Sequence, residues 1–518
     1  MRLPRALPLI LALIALTLGL AAPLSPASAD PQADQTAPQA DAEHAEDVLQ
    51  YAEGLLAPKS AEDAADQIEG QEVGGLGGGP DTTGGVATSV PDPTLALRDL
   101  YFAKESLSGT DRRQAERLLA RPAANKVSCA SGPPVCVHYS TSGSNKATWR
   151  WVKETRATVQ SVFRKYTAAG YRRPARDGNK YVDIYLSDIA SQGIYGYCQT
   201  ANGSYGGDST SAFCVLDNDY AKSQYPGKTP KQNLRVTAAH EFFHAIQFGY
   251  DALEDVWLME STATWAEEEL YPWINDNRQY LPYGQLGNPG KPLDAPGSAG
   301  IYGNWLFFQF LGQKAPASQA GLPTVVRDIW RRADSTKGRA ADRHSVQAVD
   351  QVLKARGKSF DRLYGLFAAT NQHARKSYPD GSAYRPTRHG TQKVWRASTG
   401  RSGSWSSQHL TSNTIRFVPK NTPAGRKASF AITVPAGSQT YGFVTLYLRS
   451  GAIKKVQLQP GAAGRASATV EFGSNRVSYV DLVMANSGRK YRCGEGIYSC
   501  SGKPLSNGVA FAWRGTFR

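Results

Sequence analysis

The chain has 518 residues, enough for two or three domains that each bury a core, so length alone sets a single-domain reading aside. Its net charge of +15 is unevenly spread: between Asp30 and Leu97 the only Lys or Arg is Lys59, whereas from Arg385 to Arg518 the only acids are Glu471, Asp481 and Glu495. The basic residues are dispersed rather than gathered in a recognised motif, which argues against nucleic-acid binding. The C-terminal excess suits either an anionic cell-wall polymer or a solvated face with no dedicated partner.

The opening stretch MRLPRALPLILALIALTLGLAAPLSPASAD carries Arg2 and Arg5, a Leu/Ile/Ala run and the small-residue site Ala27-Ser28-Ala29. This pattern predicts a signal peptide over residues 1–29, cleaved before Asp30, and a secreted, extracellular protein. No later segment approaches a membrane span. Six cysteines in an exported chain favour disulfides, and their spacing groups them as Cys129/Cys136, Cys198/Cys214 and Cys493/Cys500. No Cys-x-x-Cys occurs, which disfavours a cysteine-based zinc site.

Residues 30–91 are acidic and low in complexity, with GGLGGGPDTTGG and one helix expected near Ala42 to Leu56. Over residues 92–126, Leu95, Leu97, Leu100, Tyr101, Leu118 and Leu119 predict two short helices, a propeptide or a permanent N-terminal subdomain. A domain at 127–390 is expected to follow, with a strand at VCVHYST, a helix from Lys146 to Ala169 and a strand at YVDIYLSDI with Val182, Ile184 and Leu186 on one face. Next comes SAFCVLDNDY, read as the sheet edge along which an extended peptide would pair, then two helices around KQNLRVTAAHEFFHAIQFGY and VWLMESTATWAEEEL. Further helices are expected at Tyr302 to Leu311, Pro323 to Ala333, His344 to Ala355 and Phe360 to Gln372. Residues 391–518 read as a basic β-sandwich-like domain of seven short strands separated by Gly, Pro, Ser and Asn. The fold class is therefore α+β: a mixed sheet followed by helices, then an all-β domain.

His240 and His244 lie four residues apart on a predicted helix, so both imidazoles can face one metal ion, with Glu241 beside them. Such a site acidifies a water while the adjacent carboxylate moves its proton to the leaving amine. Three protein ligands and one open position are usual for catalytic zinc. A third His six residues after the second is excluded, because Tyr250 stands there and Gln247 replaces the expected Gly. Glu260, in the first turn of the next helix, is favoured over Glu254, which falls in the turn, and over Glu267 and Glu268, two turns further along. Glu267 to Glu269 read as a solvated helical face, with Glu267 also placed to support a ligand histidine.

His240-Glu241-Phe242-Phe243-His244 followed by Trp257-Leu258-x-Glu260-x-x-Ala263 resembles the gluzincin metallopeptidases, the clan of thermolysin and the aminopeptidase-N-like enzymes. It is most similar to secreted bacterial members with a Trp-Leu-x-Glu-Gly-x-Ala stretch, over about Val135 to Gln372. The resemblance implies a zincin-like catalytic domain binding Zn2+ through His240, His244 and Glu260, with Glu241 as general base and acid. It also implies that Tyr302, opening an apolar helix, stabilises the oxyanion. Ser261 departs from the usual Gly, and Thr264 stands where thermolysin-like enzymes have an Asp that orients a ligand histidine. The expected function is a zinc endopeptidase acting on peptides or proteins. The alternatives are a cell-wall amide hydrolase with the same zinc site, or a non-enzymatic surface-binding protein with structural zinc.

Overall fold

The structure, a computed structural model, describes residues 42–59 and 92–518 except 297–298, 339–340, 396–399, 495–497 and 501. The expected signal peptide and most of the acidic segment lie outside the described residues, among which no helix is long and apolar enough to cross a membrane. Contacts group residues 38–518 into one unit. At its N-terminal end, helices α1 (Ala42–Leu56), α2 (Pro93–Ala103) and α3 (Gly109–Leu118) pack through small and aliphatic side chains, Ala45 and Leu49 against Ala96, Leu100 and Ala115. Asp92 caps α2, its Oδ1 accepting from Leu95 N at 3.0 Å, and Pro93 fits the first turn because it lacks only an orphan N–H.

Strands β1 (Lys126–Ser131), β2 (Pro134–Tyr139), β3 (Val182–Ser187), β4 (Gly196–Ala201) and β5 (Ser211–Asp217) form a mixed sheet in the order β1-β2-β3-β5-β4. The central three run parallel, and β1 and β4 join antiparallel at the edges. Both edge strands escape periodicity analysis, because they are short and rich in Ser, Gly and Gln. Their register is tied instead by cysteines standing directly opposite one another, Cys129 with Cys136 and Cys198 with Cys214. With Cys493–Cys500, all three expected disulfides are present. One expectation is corrected: β5 is buried at every position between β3 and β4, so the edge is β4 and not Ser211–Asp217.

The sheet is followed by helices. After α4 (Trp149–Ala168) come α5 (Pro230–Phe248) and α6 (Val256–Leu270). Helix α5 starts at a reciprocal cap in which Thr229 Oγ1 accepts from Gln232 N and Gln232 Oε1 accepts from Thr229 N. Phe242 and Phe243 pack against Phe163 and Tyr166 of α4, with ring centroids 5.0 and 5.2 Å apart, and this anchors the face of α5 opposite His240 and His244. Helices α7 (Trp305–Lys314), α8 (Thr324–Trp330), α9 (Ser345–Ala355) and α10 (Phe360–Asn371) complete the layer, with Trp257, Trp265, Trp305 and Trp330 fully buried among them.

The C-terminal region is strand-rich and sandwich-like. Its strands are β6 (Gly390–Trp395), β7 (Arg401–Ser407), β8 (Thr411–Lys420), β9 (Lys427–Thr433), β10 (Thr440–Leu448), β11 (Ile453–Leu458), β12 (Arg465–Glu471), β13 (Val477–Asn486) and β14 (Val509–Phe517). They form one sheet in the order β11-β10-β13-β8-β6 and a second in the order β12-β9-β14-β7. Phe417, Phe430, Phe472 and Phe517 fill the space between them. The seven expected strands are present. Among those not anticipated, β6 and β7 are edge strands and carry the polar, weakly alternating sequence that edges tolerate, and a two-residue pair, Tyr491–Arg492 with Lys503–Pro504, stands outside both sheets. The other face of β10 and β13 packs Tyr441, Phe443 and Val483 on Ala368 and Ala369 of α10.

The turn between α5 and α6 holds Asp251, which is wholly buried and accepts from Leu253 N at 2.8 Å and Ser499 Oγ at 2.6 Å. Burial, reinforced by the charge of Asp342 and opposed by Ser499, pushes its pKa up to about 8. The folded state thus holds this proton to higher pH than the unfolded chain, where the carboxyl titrates near its ordinary value of about 3.9. The contribution to stability falls as pH rises from about 4 to about 8. Asp251→Asn keeps an acceptor oxygen but removes the titration, so its melting temperature should fall less between pH 5 and pH 8 than that of the wild type.

Candidate metal centre

Because His240 and His244 share one face of α5, both imidazoles enter the crevice where α6 crosses, and Glu260 meets them from the first turns of α6. Glu260 Oε2 is 3.2 Å from His240 Nε2, and Oε1 is 3.3 Å from His244 Nε2. The potential ligand atoms of the three residues all lie within 4.8 Å of one another. His244 and Glu260 have no solvent exposure. The other Glu candidates are engaged elsewhere: Glu254 accepts from the backbone N–H of Asp255 and Ser345, and Glu268 accepts from Asn277. Glu267 and Glu268 are buried, which corrects the reading of this stretch as a solvated face. A second His/Cys group, His344 with Cys493 and Cys500, is closed by the disulfide between its cysteines.

The ring nitrogens facing away from the crevice are held by hydrogen bonds. His240 Nδ1 lies 2.6 Å from Glu267 Oε1, and His244 Nδ1 lies 2.6 Å from Gln247 Oε1. The Gln247 amide is fixed in turn, its Nε2 donating to the Met259 carbonyl at 2.9 Å and to Thr262 Oγ1 at 3.0 Å. Each acceptor keeps a proton on Nδ1 and leaves the Nε2 lone pair free for a metal. The orienting role absent at Thr264 thus falls to Glu267, one turn later. Gln247 went unrecognised in the sequence, although its position three residues after His244 on the same helix face was the available signal.

The donor set fits a divalent cation. His244 Nε2 and Glu260 Oε1 are buried and have no hydrogen-bond partner. Leaving such groups unsatisfied costs about 1–3 kcal/mol each, a penalty that an ion between them removes. Burial and the neighbouring His240 push His244 down to about 3, so its imidazole is neutral, the form that binds metal. Burial disfavours charge on His240, but Glu260 and Glu267 outweigh it and raise its pKa well above the ordinary value. Burial also pushes Glu241 up to about 7, against the pull of His240.

Glu241 sits beside the triad and is 7% exposed. Its Oε2 accepts from Thr94 Oγ1 at 3.1 Å. Tyr302 lies in a helical turn, Gly300–Gly303, ahead of α7, with its ring centroid 6.2 Å from that of His240. Its hydroxyl donates to Asp92 Oδ2 at 3.0 Å, and Ser261 Oγ donates to the Ile301 carbonyl, tying this turn to α6. The structure therefore brings His240, His244, Glu260, Glu241 and Tyr302 to one place. It adds Asp92 and Thr94, for which the sequence carries no signal: Thr94 is 147 positions from Glu241.

If Glu267 and Gln247 orient the ligands, Glu267→Gln and Gln247→Leu should each weaken metal binding by about 10- to 100-fold in a chelator-competition titration, with the fold unchanged by circular dichroism.

No protein-family model matches the chain, and no curated protein matches it. Among solved structures, one similar chain is the periplasmic lysozyme inhibitor of g-type lysozyme from Aeromonas hydrophila, at 9% identity and a TM-score of 0.15, covering 25% of this chain and 100% of that one. Another is a family GH115 4-O-methyl-alpha-glucuronidase with specificity for decorated arabinogalactans, at 9% identity and a TM-score of 0.13, covering 67% of this chain and 53% of that one. The chain thus spans about half of the glucuronidase. Neither likeness carries an argument about fold or function.

Proposed function

We propose that this protein is a secreted zinc-dependent hydrolase of peptide bonds in which His240, His244 and Glu260 hold the ion and Glu241 is the general base. The observation that carries the reading is the pair of buried, unpartnered atoms, His244 Nε2 and Glu260 Oε1, facing the same space as His240 Nε2 beside Glu241. Two imidazoles, one carboxylate and an open position suit catalytic zinc, and three disulfides suit an oxidising, extracellular setting.

His240, His244 and Glu260 would hold the zinc, which would supply Lewis-acid polarisation of the scissile carbonyl and acidification of a water. Glu241 takes the proton of the attacking water on a carboxylate oxygen and delivers it to the leaving nitrogen. Glu267 and Gln247 keep the two imidazoles oriented. Tyr302, freed from Asp92, presents its hydroxyl to the developing oxyanion. A gluzincin-like peptidase matches this set of roles, with a peptide or protein as substrate. A cell-wall amide is the other substrate class, and the basic C-terminal region would bring the protein to an anionic polymer.

One observation favours a different reading, a surface-binding protein with structural metal: the site is shut, with Asp92 and Thr94 seated on Tyr302 and Glu241. The two readings separate on Glu241→Gln. In the hydrolase this variant keeps its zinc by elemental analysis and loses about 10²- to 10⁴-fold of the cleavage of casein or purified cell wall, and 1,10-phenanthroline abolishes the wild-type reaction. Unchanged hydrolysis in Glu241→Gln sinks the mechanism. Chelation that lowers the melting temperature of a protein cleaving neither substrate supports structural metal.

A further inference from the structure

We propose that the first turns of α2 are a built-in plug: Asp92 and Thr94 occupy, at Tyr302, at Glu241 and on the outer edge of β4, the places a substrate has to take, and hold the chain in a latent state. This rests on the reading of the crevice as a hydrolytic metal site.

The contacts are those a bound peptide would make. The Thr94 hydroxyl donates to Glu241 Oε2 at 3.1 Å and accepts from Cys198 N at 3.0 Å. Cys198 lies on the edge strand β4, whose outward backbone groups are the ones an extended peptide pairs with. Asp92 accepts from the hydroxyl of Tyr302 at 3.0 Å, and the Tyr302 ring centroid lies 6.2 Å from that of His240. A helix serving only to pack would present apolar side chains here. This one presents a carboxylate and a hydroxyl to the two groups that the reaction uses, and it buries every residue from Asp92 to Leu100 in doing so.

The plug is also held at its root, by contacts that involve none of His240, His244 and Glu260. Arg98, fully buried, pairs with Asp99 at 2.9 Å and donates to the Glu254 carbonyl at 3.1 Å. The Tyr498 ring lies 4.8 Å from its guanidinium, and the Tyr498 hydroxyl donates to Asp99 Oδ2 at 2.7 Å. The C-terminal region thus clamps the root of the helix whose tip fills the crevice. Leu95 adds apolar packing in the main core.

The test uses the full chain loaded with Co2+, with acetohydroxamate as a small chelating anion. Three proteins are compared: wild type, the double variant Asp92→Ser with Thr94→Ala, and Tyr498→Phe. Serine at 92 keeps a side-chain oxygen for the helix cap, and Tyr498→Phe loosens the root without touching the site, so a folding failure in the first leaves the second to decide. Acetohydroxamate should leave the visible spectrum of the wild type unchanged and shift that of the double variant. Loss of the ion to 1,10-phenanthroline should be about tenfold faster or more in the double variant, with a smaller acceleration in Tyr498→Phe. A wild-type spectrum that responds to acetohydroxamate as the variant does, with equal rates of metal loss, overturns the plug. If wild type takes up no more cobalt than His240→Ala with His244→Ala, the metal reading itself falls, and the plug with it.

Discussion

A carboxylate buried between two imidazoles is the constraint on which the centre of this protein depends. Glu260 is fully buried, and its oxygens lie just over 3 Å from His240 Nε2 and His244 Nε2. Desolvating such a group is tolerable only if a cation or a complete set of donors meets it. The outer nitrogens of both rings donate to acceptor oxygens of Glu267 and Gln247, yet His244 Nε2 and Glu260 Oε1 have no hydrogen-bond partner. The side chains are therefore preorganised around a point that a divalent cation could occupy.

The surrounding fold fixes the crossing of α5 and α6 from several directions. Strand β4 approaches α5 so closely that a Cβ on Gly196 would come within 2.7 Å of Thr237 Cγ2 and 3.2 Å of Glu241 Cγ, so only glycine fits there. On the far side, Trp330 Nε1 donates to Thr262 Oγ1 at 3.1 Å and Trp257 Nε1 to Ser345 Oγ at 2.7 Å, each anchoring a turn of α6 next to Glu260. The strand-rich C-terminal region joins this support. Tyr498 and Ser499 hold Asp99 and Asp251, while Asp294 is shared between His409 and Tyr491. Its contribution near the site is structural whatever its basic surface binds.

The plug and the metal centre depend on one another chemically. Asp92 brings a further carboxylate toward a crevice that already holds Glu260 and Glu241, an arrangement that repels itself unless a cation is present. Metal loading would thus favour seating of the N-terminal helix, and removal of the helix would expose Tyr302 and Glu241 together.

The sequence by itself determined what depends on local periodicity and spacing. That covers the helical placement of His240, Glu241 and His244, the second helix carrying Glu260, the cysteine pairs, and the change from helices to short strands near residue 390. These follow from contacts within a few turns of chain, so the pattern of side chains records them directly. Tertiary structure alone decided which strand is the open edge of the first sheet, because β4 owes its register to a disulfide and its neighbour rather than to alternation of its own. It likewise decided that Glu267 is a buried partner of His240 instead of a solvated acid, and that Asp92 and Thr94 reach Glu241 and Tyr302 across more than a hundred residues. Such pairings are set by how whole elements pack, and no local pattern of residues encodes which distant side chain will fill a given space.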